Sequence, residues 1–228
     1  FAAGETTPEA LTTAVVRRLA AALREHAAPF GTAVVYAGKG GNARDAVGLA
    51  AAVVQRVILR AVPTADADAL CALAKTFGNA VMEVVEQAPE TDESLLLIDG
   101  LLGSGASGAL RPEYAALAEE MNALRARGEH SLSVAIDIPS GLNGDTGEAD
   151  THAVRADVTC PIGCVKPGLL ADGAEDYVGR LLPVELPGIA LTPSTDDRVL
   201  SAEENIVHLP RRAASCFKNR AGRVAVVA

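Results

Sequence analysis

The 228-residue sequence predicts an α/β domain in which a mostly parallel sheet lies between two layers of helices, a three-layer αβα arrangement. Strand-like and helix-like segments alternate along the chain, and the strand-like ones are continuously apolar instead of alternating in polarity. A sheet covered on both faces by helices demands that pattern. Composition agrees: 49% of residues are apolar but only 3% aromatic, so helices can pack close to the sheet on Ala, Val, Leu and Ile.

Each element follows from local residues. The segment from Thr7 to Ala28 has Thr7 as a candidate N-cap, Pro8 where a first helical turn tolerates it, then an Ala/Leu/Arg pattern of helical spacing. Gly31 breaks this helix, and Thr32 to Ala37 reads as a buried strand. The glycines Gly38, Gly40 and Gly41 follow, then a helix from about Asp45 to Gln55. Val57 to Ala61 is β-like and ends at Pro63; Ala65 to Phe77 is a helix closed by Gly78-Asn79; Val81 to Val85 is a short strand. Leu95 to Asp99 is the next strand, stopped by the glycine-rich stretch Gly103 to Gly108. Pro112 to Arg127 is a helix and Leu132 to Asp137 a strand; Ala156 to Cys160 and Leu181 to Glu185 are further strands. Right-handed crossovers then give a Rossmann-like sheet with helices on both faces and loops at its carboxyl edge. From Pro187 the rhythm breaks, and the polar, turn-rich Pro193 to Asp197 reads as a linker. Arg211 to Arg220 is basic and Arg223 to Ala228 begins a new strand, so a boundary is expected near residue 195, between a domain at 1–194 and a segment at 195–228.

The balance of 20 Lys+Arg against 29 Asp+Glu gives a formal charge of −9, which argues against a nucleic-acid surface, where a basic patch must displace phosphate counterions. No apolar run reaches the ~18 residues of a membrane span. Cys71, Cys160, Cys164 and Cys216 are scattered, and the C-x3-C of Cys160 and Cys164 lacks the second pair or the histidines of a zinc site. Reduced thiols are expected, and with them a cytoplasmic protein. The chain begins at Phe1 instead of Met and stops inside the apolar run Val226-Val227-Ala228, which reads as a piece of a longer chain.

In a sheet of this kind ligands bind beyond the carboxyl ends of the strands. Three strand ends combine glycine with a carboxylate or carboxamide: Gly38 to Asp45, Asp99 to Gly108, and Asp137 to Gly144. Glycine lets backbone N–H groups approach an anion, while Asp, Asn and Ser oxygens hold a hard cation. Two of the loops fit a dinucleotide fingerprint in form, Gly103 to Gly108 as G-x-G-x-x-G and Gly38 to Ala43 as G-x-G-x-x-A. The fingerprint also needs a helix starting within the loop and an acid ending the next strand. After the first loop that strand ends at Arg60-Ala61, without the acid; after the second the helix starts only at Pro112. A redox Rossmann enzyme is therefore the third reading. No G-x-S-x-G elbow or Walker loop is present. The histidines (His26, His130, His152, His208) sit in helical, turn or linker contexts, His152 being the one that follows the Asp137 loop.

The order of these loops resembles the NAD(P)H-hydrate epimerase family, the YjeF-type amino-terminal domain. Asp137-Ile138-Pro139-Ser140-Gly141-Leu142-Asn143 matches that family's D-I-P-S-G-L-[DN] signature; Asp99-Gly100-Leu101-Leu102-Gly103-Ser104-Gly105 is similar to its D-A-L-[LF]-G-[TS]-G. Ala156-Asp157-Val158-Thr159 with Lys166-Pro167-Gly168-Leu169 resembles its A-D-x-T…K-x-G-L. The first loop departs from G-x-G-N-N-G-G-D-G: Gly41, Ala43, Arg44 and Ala46 replace an Asn and three glycines, while Asn42 and Asp45 remain. The family's first helix and its M-E-N-A-G are missing or reduced to Leu11 to Val15.

The resemblance implies potassium as cofactor, with Asn42, Asp99 and Ser140 as ligands. It implies substrate-binding positions at Gly41, Asn42, Ala43, Arg44 and Asp45, at Gly103, Ser104, Gly105, Ala106, Ser107, Gly108 and Ala109, and at Asp137. The implied substrate is NADH or NADPH hydrated at C6 of the nicotinamide ring, whose R and S forms an epimerase interconverts. That chemistry needs an acid and a base near C6 and a carboxylate facing a cationic ring: Asp137 first, then Asp45 and Lys166. A YjeF-type domain that has lost catalysis and serves as a binding or interaction module is the alternative, motivated by the altered first loop. The resemblance also implies a possible homodimer. Leu209 to Val224 resembles the opening of an ADP- or ATP-dependent hydrate dehydratase domain, ribokinase-like, fused behind the epimerase.

Overall fold

A computed structural model describes residues 7–27, 29–91, 93–127 and 131–186. Helix α1 (Pro8–Ala27) starts where the sequence places it, with the Ala10 N–H donating to Thr7 Oγ1 at 3.2 Å. Strand β1 (Thr32–Ala37) is buried at every position. Helix α2 (Gly41–Val53) begins earlier than expected, at Gly41 instead of Asp45, with Gly40 extended at its cap. Glycine is unfavourable inside helices, and that rule pushed the expected start too far along; in the first turn the N–H groups have no intrahelical acceptor anyway. The family-like residues of the first loop thus belong to a helix N-terminus.

The remaining elements are β2 (Arg56–Ala61), α3 (Ala67–Ala74), β3 (Val81–Val84), β4 (Leu96–Gly100), α4 (Pro112–Arg127), β5 (Leu132–Ile136), β6 (Val158–Cys160), α5 (Glu175–Val178) and β7 (Arg180–Leu181). The last strand is shorter than the expected Leu181 to Glu185, and Val184 contributes only an isolated bridge to Ile162; Pro183 has no N–H with which to continue the ladder. A 3₁₀ turn (Pro167–Leu170) and α5 were not expected, because four-residue elements are too short to display a period. His130, the linker, the basic stretch and the final strand lie outside the described residues.

Among the described residues one sheet of seven strands, all parallel, has the order β3-β2-β1-β4-β5-β6-β7. Alternate residues feed its two faces. Ala33, Val35, Leu59 and Ile98 pack with Leu19 of α1, Val47 of α2 and Leu70 of α3; Val34, Tyr36, Ile58 and Leu97 pack with Leu117 and Met121 of α4. The chain leaves β1 for β2 and β3 on one side, then returns to place β4 on the other side of β1. Connections from β1 and β4 therefore diverge, which opens a crevice at their carboxyl ends, the usual place for a ligand. Among the described residues no helix is long and apolar enough to cross a membrane.

Candidate functional site

The crevice is closed by a single carboxamide. Asn42, in the first turn of α2, donates through Nδ2 to the carbonyl oxygens of Leu102 at 2.8 Å and Ile136 at 2.7 Å, tying the ends of β1, β4 and β5 together. Close approach explains two of the glycines. A Cβ on Gly103 would lie 2.8 Å from Asn42 Oδ1, and one on Gly38 would lie 1.9 Å from the Leu101 carbonyl oxygen.

Asp99, wholly buried at the end of β4, accepts from Ser140 N and Ser140 Oγ, each at 2.7 Å, and from Leu101 N at 3.1 Å. Burial pushes its carboxyl up to about 6, against the pull of the Ser140 and Leu101 hydrogen bonds. Its partners are neutral donors. Ser140 Oγ also accepts from Leu102 N at 2.9 Å, so Asn42 and Ser140 both hold Leu102, while Asp99 holds Ser140 and Leu101. The oxygens these three residues offer are a carboxamide, a carboxylate and a hydroxyl, which suit a hard cation and not a soft metal; the Asn42 nitrogen, not its oxygen, faces the Leu102 and Ile136 carbonyls. Among the described residues no three His, Cys, Asp or Glu side chains cluster as a metal site.

Asp137 follows β5 at φ 71°, the one non-glycine residue among those described with a positive φ. The Ile138 N–H donates across it to the Ile136 carbonyl at 2.9 Å, a γ-turn of the rare hand, whose strain is characteristic of working positions. This turn aims the carboxylate along the sheet edge. Oδ2 accepts from Ser104 N at 3.1 Å; Oδ1 accepts from Ile162 N at 3.1 Å and from Lys166 Nζ. Lys166 Nζ also donates to the Ile162 carbonyl at 2.9 Å. The pair is largely shielded, with 15% of the Lys166 and 9% of the Asp137 side chain exposed.

Asp45, one turn into α2, has its carboxyl pushed up to about 7, chiefly by burial and to a lesser degree by the Asp137 charge; the Thr12 hydroxyl and the Arg44 guanidinium pull the other way. Its Oδ1 is buried with no hydrogen-bond partner. Asp45 and Asp137 are thus two carboxyls in different surroundings, one with a buried and unpartnered oxygen, the other paired with Lys166.

Beside these groups lies a cleft of about 550 Å³. Of the expected residues it is lined by Gly103, Gly105, Ala106, Ser107, Gly108, Ala109 and Ser140. The others lie off its walls, Asn42, Asp45, Asp99, Asp137 and Lys166 among them; Ala43 is buried within α2, Arg44 pairs with Glu9 at 3.4 Å, and Gly41 is exposed with open space around it. Ser104 turns its N–H to Asp137. Lys39, Arg111, Tyr114, Glu148 and Asp150 also line the cleft and were not singled out from sequence. The charged four read there as surface residues; only their nearness to the glycine loops could have marked them. Where a dinucleotide fold would place an acid, the end of β2 carries Arg60, paired with Glu120 at 2.7 Å.

The model of the YjeF-related protein N-terminus matches residues 8–168. An NAD(P)H-hydrate epimerase from Rhodopirellula baltica is 35% identical over 188 residues, 74% of this chain and 74% of that protein. A bifunctional NAD(P)H-hydrate repair enzyme from Leishmania braziliensis is 51% identical over 86 residues, and the matched part spans 38% of this chain but only 14% of that relative's length. The crystal structure of yeast ynu0 aligns with TM-score 0.59 over 78% of both chains at 15% identity, a likeness of fold. The match runs through all three strand-end loops that Asn42 ties together, and the chain belongs to the family of the YjeF-related protein N-terminus.

Proposed function

We propose that this domain epimerises hydrated NADH or NADPH, interconverting the R and S forms at C6 of the nicotinamide ring. The observation that carries the proposal is the Asp137–Lys166 pair at the carboxyl end of β5, with the Asp45 carboxyl raised by burial to about 7. Loss of the C6 hydroxyl needs a proton on that oxygen, and Asp45 supplies it. The N1 lone pair drives the hydroxyl out as water and leaves a cationic ring, which Asp137 faces with its charge. Water then adds to the other face of C6 and gives up its proton, returning Asp45 to its starting state through Asp137. Atoms balance, and nothing is oxidised or reduced. Lys166 is a positioning residue: its ammonium holds the Asp137 carboxylate in place.

A potassium ion held by Asn42, Asp99 and Ser140 completes the reading. Its support is the oxygen donor set and a buried Asp99 whose hydrogen-bond partners are all neutral. The ion would supply the positive charge that Asp99 lacks and brace the three loops. In the described part of the chain Cys71, Cys160 and Cys164 are unpaired thiols, which supports a cytoplasmic setting.

The test mixes separated epimers of hydrated NADPH with the full chain in potassium buffer and follows their exchange by chromatography. Exchange faster than in buffer, abolished by Asp137→Ala without loss of fold, is the expected result. No acceleration over buffer overturns the function, and unchanged exchange in the variant removes Asp137 from the mechanism. Melting in potassium against lithium salts tests the ion separately, with a higher Tm expected in potassium.

A further inference from the structure

We propose that Lys39 and Arg111 form the phosphate-recognition pair of the cleft, gripping a phosphate group of the nicotinamide nucleotide; that the phosphate belongs to such a nucleotide rests on the epimerase reading.

The two cations reach the cleft from different loops, Lys39 after β1 and Arg111 immediately ahead of α4. Among the described residues neither takes part in an ion pair, whereas the other cations close to the site are spent: Lys166 on Asp137 and Arg44 on Glu9. A dinucleotide brings at least two phosphate charges, and among the described residues no further cation lines the cleft.

Among the described residues neither acid of the same cleft, Glu148 or Asp150, forms an ion pair with Lys39 or Arg111. Asp150 has both oxygens occupied by backbone, Oδ2 by Leu110 N at 3.0 Å and Oδ1 by His152 N at 2.8 Å. The first of these bonds anchors the residue preceding Arg111, so Asp150 fixes the approach of the guanidinium. The loop Gly105 to Ala109 lines the same cleft. Among the described residues no acceptor is bonded to the N–H groups of Gly105, Ser107, Gly108 or Ala109. Successive unpaired N–H groups on a glycine-rich turn form an anion-binding concavity. Arg111 adds a planar fork suited to two phosphate oxygens and Lys39 a point charge.

Calorimetric titration with NAD+, NADP+ and nicotinamide riboside tests this on the full chain. Wild-type protein is expected to bind both phosphorylated nucleotides more tightly than the riboside. Lys39→Gln and Arg111→Gln should each weaken nucleotide binding by about tenfold, the scale of one charge-assisted hydrogen bond, and the riboside should be unaffected. Lys75→Gln, an exposed cation on the far helix α3 side, controls for general charge, and Lys39→Arg should restore binding. A loss shared by NAD+ and NADP+ assigns the pyrophosphate; a loss confined to NADP+ assigns the 2′-phosphate. Unchanged nucleotide affinity in the double variant, or a wild type with no preference over the riboside, overturns the inference. Epimer exchange is read separately, so binding that obeys these expectations in a protein without exchange removes the epimerase reading alone. Active exchange with charge-insensitive binding removes the phosphate pair alone.

Discussion

Replacing Asp45 with Asn should make the domain more stable at neutral pH and change the way stability depends on pH. In the unfolded chain an aspartate titrates near 3.8; in the fold burial carries Asp45 to about 7. Between those values the folded state keeps a proton that the unfolded state has released, so stability falls as pH rises, by about 1.4 kcal/mol per pH unit. Across the window the loss is on the order of 4 kcal/mol, and it is complete above pH 7. Asn carries no titrating proton, so the variant lacks this slope. Asp99, pushed up to about 6, adds a slope of the same sign in both proteins, which cancels in their difference. Urea denaturation of both proteins at intervals from pH 4 to 8 gives that difference directly. The variant should gain on wild type steadily with pH and then level off. Parallel stability curves would show that Asp45 ionises normally in the fold and refute its role as the protonated acid.

Arg60→Ala strips the partner from Glu120, which Arg60 grips at 2.7 and 2.8 Å while also donating to the Val85 carbonyl at 2.9 Å; a cost of about 3 kcal/mol is expected in denaturation, and the Arg60→Ala, Glu120→Ala double variant should recover part of it. Gly41→Ala should raise stability by about 0.5 kcal/mol, read as a higher Tm, since the position is exposed in the first turn of α2 and nothing lies within 4 Å of the added Cβ. Gly103→Ala pushes on the Asn42 carboxamide, 2.8 Å from the new Cβ; epimer exchange should fall at least tenfold, while stability drops by only about 1 kcal/mol, because the displaced group is the end of a flexible side chain.

The sheet was legible because its signals are local. Gly31 and Gly38 bracket β1, and the observed strand is the expected Thr32–Ala37. The start of α2 was not, because Gly41, a residue type that usually marks a loop, here opens the first helical turn. The three strand-end loops declared themselves through glycine next to Asp, Asn or Ser, and the fold brings all three together through Asn42. What sequence cannot convey is direction. The Asn42 amide turns its nitrogen to two carbonyls, and Asp137 aims its carboxylate from a γ-turn; neither follows from residue type. Lys39 and Arg111 were hidden for another reason: an exposed cation looks the same in sequence whether it faces bulk water or a cleft.

β1 is also the seam on which the chain closes. Once Val81 to Val84 has been made, β1, β2 and β3 have their partners, and one edge of β1 stays bare until β4 arrives. The carboxamide of Asn42 is already attached to the early half, but the Leu102 and Ile136 carbonyls it holds belong to the late one. The tie needs β4 and β5 both in place, so the site cannot form before the open edge of β1 is covered. A chain that stalls before that step carries an exposed parallel edge of Ala33 to Ala37, the kind of surface on which folding chains stick to one another.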